Sequence, residues 1–69
     1  MANINRSGIA EKLKKLRGNK PIEEVALFLG VTSSAVMMYE RGERVPKDTV
    51  KVKYSELTGI SVQALFFED

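Results

Sequence analysis

A chain of 69 residues has room for one domain at most, near the lower limit for a core that holds without staples. It contains no cysteine and no histidine, which removes disulfides, thiolate zinc sites, cysteine nucleophiles and the commonest general base together. Eleven lysines and arginines face nine acidic residues, and a net charge of +2 is too mild to name a partner, so position along the chain must carry the argument.

The first helix is predicted from about Ser7 to Arg17. Ile9, Leu13 and Leu16 recur there at helical spacing; Ser7 is placed to cap the start, and Gly18 with Asn19 to stop the end. Pro21 suits the first turn of a second helix, where a missing N–H costs nothing, and Glu23 and Glu24 complement its positive end. The segment 22–41, IEEVALFLGVTSSAVMMYER, then holds two short amphipathic runs with Gly30 between them. Val25, Ala26 and Leu29 form the inward stripe of the first, and Val36 and Tyr39 that of the second. Gly30 can end a helix in the left-handed conformation, and Thr32 stands as N-cap of the next. Ala26 leaves space for the two helices to cross closely. This is the layout of a helix-turn-helix, whose second helix can enter the major groove of DNA.

Beyond Tyr39, the stretch 41–46 (RGERVP) reads as a loop. A fourth helix is predicted from Lys47 or Asp48 to Thr58, with Val50, Tyr54 and Leu57 as its stripe and Gly59 as its stop. Ser61 then caps a short fifth helix carrying Val62, Leu65 and Phe66. No segment alternates with period two, so the expected fold class is all-α, five helices forming one domain over residues 1–69. The basic residues cluster at Lys12, Lys14, Lys15, Arg17 and Lys20, and again at Arg41, Arg44 and Lys47. Alone they read as a solvated face; beside a helix-turn-helix they read as a rim for phosphates.

From about Ile9 to Phe67 the chain resembles the lambda-repressor-like regulators of the Cro/C1 and Xre type. The resemblance rests on KLKKLR in helix one, EEVALFLGVT in the motif, YERG after the second motif helix, RVP in the loop and LTGISVQALF at the end. It implies a compact five-helix lambda-repressor-like DNA-binding domain that binds operator DNA as a dimer, with a recognition helix over about 33–41. By that resemblance Thr32, Ser33 and Ser34 match the start of the recognition helix, and Met37 and Met38 the next outward pair, all base-facing. Lys20, Arg41, Arg44 and Lys47 are the expected phosphate contacts. Glu40 matches a family glutamate that pairs with the arginine closing helix one, here Arg17, a structural ion pair.

Three features depart from the family pattern. Ile22 stands where a glutamine often touches phosphate and braces the recognition helix. The connection 18–21 is about two residues shorter than usual. Most important, Ser33, Ser34, Met37 and Met38 occupy a reading face where arginine, glutamine or asparagine would give bidentate base contacts. Apolar atoms at the methionines can instead meet thymine methyls, with DNA shape supplying further discrimination. Phe66 and Phe67 together exceed what one short helix buries against a small core; both are candidate dimer contacts, although Phe66 with Leu65 also reads as core.

The expected function is a sequence-specific DNA-binding transcriptional regulator of the small Cro or repressor type. The alternative is a protein-interaction module on the same fold, an antirepressor or antitoxin-like regulator with a protein partner, which the apolar methionine face and the missing glutamine would suit. No catalytic constellation or metal-ligand spacing is present, so neither enzyme activity nor a cofactor or metal is expected. No run suits a signal peptide or a membrane span, and the expected location is the cytoplasm.

Overall fold

The computed structural model describes residues 6–67, with side chains from residue 8. Helix α1 spans Arg6–Arg17, α2 Ile22–Leu29, α3 Ser33–Arg41, α4 Asp48–Thr58 and α5 Val62–Phe66. Among the described residues there is no strand. The helix starts at Arg6, so Ser7 lies inside its first turn rather than before it, and the side chain expected to cap it lies outside the described residues.

Chain chemistry fixes the later boundaries. Pro21 is the N-cap of α2 rather than part of its first turn; its carbonyl accepts from the Glu24 and Val25 amides, and it has no side-chain acceptor to offer. Thr32 Oγ1 accepts from the Ala35 amide at 3.1 Å to open α3, and Ser61 Oγ accepts from the Ala64 amide at 3.1 Å to open α5. Between α2 and α3, Gly30 adopts φ 75°, and the Val31 amide reaches back to the Ala26 carbonyl at 3.0 Å. That pair of features satisfies carbonyls the helix end would leave bare, and it bends α2 against α3 by 102°.

The core gathers Ile9 and Leu13 of α1, Val25, Ala26 and Leu29 of α2, Ala35, Val36 and Tyr39 of α3, Val50 and Tyr54 of α4, and Leu65 and Phe66 of α5. Ile22, Val31, Leu57, Ile60 and Val62 pack around it. An edge-to-face series of rings crosses this core from α3 to α5. Tyr39 and Tyr54 have centroids 6.2 Å apart, and Tyr54 and Phe66 are 6.0 Å apart.

Two expectations need correction. Leu16 is 36% exposed and does not extend the α1 stripe. Ala10, Leu13 and Arg17 share the inward side, so the last inward position of α1 belongs to Arg17 and Leu16 is turned to the edge. Phe66 is not a dimer contact; it is 2% exposed and its ring is enclosed by the Tyr54 edge and the Lys51 stem. Phe67 is left outside at 53% exposure.

Candidate nucleic-acid interface

The inward residues of α3 are Ala35, Val36 and Tyr39, with Val36 wholly buried. At 100° per residue the opposite side is then the row Ser34, Met37 and Arg41, each about one turn from the next, and all three are exposed. Ser33 and Met38 fall on the two flanks and are half-buried. The methionine pair is thereby split. Met37, 37% exposed, sits in the middle of the outward row, while Met38 leans against the body of the domain. Thr32 is exposed just before the helix, but its oxygen is engaged by the Ala35 amide, leaving its hydroxyl proton free to donate outward.

An ion pair fixes the pitch of this row. Arg17 Nε donates to Glu40 Oε2 at 2.7 Å and Nη2 to Glu40 Oε1 at 3.1 Å, a two-pronged contact from the end of α1 to the last turn of α3. Its third nitrogen, Nη1, donates to the Lys20 carbonyl at 2.8 Å, so the same guanidinium also holds the α1–α2 connection. The Glu40 carboxylate is 7% exposed and the Arg17 side chain 19%, and the hydrogen bond to Glu40 holds the guanidinium above its ordinary pKa. Arg17 therefore serves the scaffold and is not available to a ligand.

Three further exposed cations stand on the chain segments just before and after the motif. Lys20 is exposed beside α2, Arg44 in the α3–α4 loop and Lys47 at the N-cap of α4, and none has an acidic partner among the described residues. Arg41 belongs to α3 itself rather than to the loop, and Glu43 approaches it only loosely, at an exposed 3.9 Å. The sequence reading put it both at the start of the loop 41–46 and at the end of the recognition helix; its spacing of four from Met37 was the signal for the outward row. Lys12, counted with the basic cluster, is turned inward instead, and its Nζ donates to the Ala64 carbonyl at 2.7 Å, tying α1 to the end of α5.

Ile22, which stands where the family often has glutamine, is half-buried and packs on the core. The side chain of the motif's first residue braces the domain through apolar contact and has no donor to offer a phosphate.

Two features were not visible in the sequence. Lys51 is buried to 7% exposure in the α4 stripe, with Nζ 4.7 Å from the Phe67 ring centroid and 5.6 Å from that of Phe66. Tyr54 holds its hydroxyl in the core without a hydrogen-bond partner among the described residues, and burial pushes its pKa well above the ordinary phenol value.

Against this geometry, a family model described as Helix-turn-helix matches residues 9–65. Among solved structures, the chain is similar to the restriction-modification controller protein C.AhdI from Aeromonas hydrophila, with a TM-score of 0.78 and 26% identity. That similarity covers 90% of this chain and 97% of the other. No curated protein matches significantly.

Proposed function

The chain belongs to the helix-turn-helix family of the Cro/C1 type, and from that premise we propose that it regulates transcription by binding a near-palindromic operator as a homodimer, with α3 in the major groove. It is a DNA-binding transcriptional regulator. The observation that carries the finer reading is the exposed outward row of α3, with exposed Lys20 on the segment before the motif and exposed Arg44 and Lys47 on the segment after it. In this reading Thr32, Ser34 and Met37 approach base edges, while Ser33 and Met38, expected with them, stand at the flanks of the row. Lys20, Arg41, Arg44 and Lys47 neutralise phosphates. The similarity to a restriction-modification controller protein supports a regulatory role. No helix among the described residues is long and apolar enough by itself to cross a membrane, and we assign the protein to the cytoplasm.

The test is selection from a random duplex pool with the purified protein at near-physiological salt. A two-fold symmetric motif is the expected outcome. Arg44→Ala should weaken binding to every sequence alike and lower the salt slope by about 0.9 for each phosphate no longer neutralised. No enrichment, together with a tight complex on a cellular protein, would replace this reading with the interaction module. An arginine variant that changed sequence preference at an unchanged salt slope would overturn the division between phosphate and base contacts.

A further inference from the structure

We propose that Met37 reads the C5-methyl group of a pyrimidine in the major groove, so that one position of each half-site prefers thymine and a cytosine standing there gains affinity when it is methylated. The inference rests on the DNA-reading assignment above and adds what chemistry is read there.

The outward row of α3 presents a hydroxyl at Ser34, a thioether at Met37 and a guanidinium at Arg41. A serine hydroxyl accepts or donates, and so tolerates most base edges alike. Arg41 lies at the far end of the helix beside Glu43. The centre of the row is thus occupied by a side chain with no donor and only a weak acceptor. Most groups on a base edge in the major groove are polar, and pressing methionine against them strips water without giving back a hydrogen bond. The one apolar group there is the methyl at C5. Contact with it removes apolar surface from water on both sides, and this face gains most from that contact.

The scaffold holds Met37 for such a contact. Val36 and Tyr39 anchor the neighbouring turns in the core, and the Arg17–Glu40 pair ties the end of α3 to α1. Its unbranched side chain can settle over a methyl without a fixed hydrogen-bond geometry. Thymine carries that methyl, and so does 5-methylcytosine, at the same ring position. A methylated cytosine therefore offers Met37 the apolar group of thymine, and methylation at that position strengthens binding.

Three random duplex pools test this with the full chain. One is built with thymine, one with uracil in place of thymine, and one with 5-methylcytosine in place of cytosine. The thymine pool should yield a symmetric motif. Within it, replacing one thymine of a half-site by uracil should weaken binding about fourfold, the value of burying one methyl group. Cytosine at that position should bind weakly, and 5-methylcytosine should recover affinity over cytosine. Met37→Ala should bind thymine and uracil duplexes equally, with the salt slope and helical circular dichroism unchanged, whereas Met37→Leu should keep the thymine preference. If the thymine pool is enriched but uracil binds equally at every position, the methyl inference falls and the DNA reading stands. If Met38→Ala alone abolishes the preference, the assignment to Met37 is wrong. If no pool is enriched, the DNA reading falls and takes the inference with it.

Discussion

Tyr54 carries the largest electrostatic peculiarity of the chain in a single atom. Its hydroxyl is enclosed among Tyr39, Phe66 and the nearby Glu40 charge, with no acceptor among the described residues to take its proton. Burial disfavours the phenolate and the Glu40 charge adds to that, so the native state keeps a proton that the unfolded chain releases near pH 10. This contribution to stability is fully present below pH 10 and is lost as pH rises above it, at up to about 1.4 kcal/mol per pH unit. Tyr54→Phe removes an unpaired buried oxygen and keeps the ring series. It should leave stability at pH 7 unchanged or raise it by about 1 kcal/mol, and it should flatten the loss between about pH 10 and 11. Denaturant unfolding of both proteins across that range is the check. A Tyr54→Phe variant weaker at pH 7 and equally sensitive to alkali would show that the hydroxyl has a partner in solution. Tyr54 was legible in the sequence as core from its spacing with Val50 and Leu57. Its stranded oxygen was not, because periodicity says which way a side chain points and nothing about what waits there.

At the scale of elements, the chain depends on how its short helices end. Gly30 and Gly42 both take left-handed backbone, at φ 75° and 76°, and both let the following amide bond back to the preceding helix. A Cβ at Gly30 would meet nothing within 4 Å, so a substitution there is opposed by the backbone conformation alone. Gly30→Ala should therefore cost about 1–2 kcal/mol of unfolding free energy, and Gly30→Asn clearly less, since asparagine tolerates the left-handed region. Chemical denaturation of the pair measures this. Equal losses for alanine and asparagine would mean that space, not backbone strain, governs the turn. The ends of α2, α3 and α4 and the starts of α3 and α5 were readable because glycine, threonine and serine mark them with local chemistry. Leu16 was harder, while the family resemblance itself pairs Arg17 with Glu40. A stripe of leucines predicts a face, but which residue of that face meets the core in its last turn depends on where α3 lies, and Glu40 is 23 positions away. Likewise Pro21 gave the start of α2 to within one residue, because proline fits either side of a helix boundary.

For the whole molecule, the question is how so small a domain acts on a symmetric site. The core takes Phe66 inward, and this leaves Phe67 half-exposed at the end of α5, its ring held under the Lys51 ammonium at 4.7 Å. Lys51 is itself held 3.8 Å from Asp48, and its stem is buried, so the ring rests on a fixed support rather than on a loose tail. That combination is why Phe67 is the contact we propose between two copies: an exposed aromatic face packed on a buried lysine stem offers apolar area to a partner. In a two-fold dimer each copy contributes one such ring, so a substitution removes both at once. Phe67→Ala should raise the dimer dissociation constant by about tenfold or more, the lower end of what burying part of two phenylalanines supplies. Sedimentation across a concentration series reads this, with circular dichroism confirming that α5 persists. Binding to a single half-site should be unchanged, because α3 and its flanking cations lie on other elements, while binding to the full palindrome should lose affinity in step with the dimer. A variant that dimerises as before would remove Phe67 from the interface. One that dimerises poorly yet binds the palindrome at full strength would show that the DNA, rather than the protein, brings the two copies together.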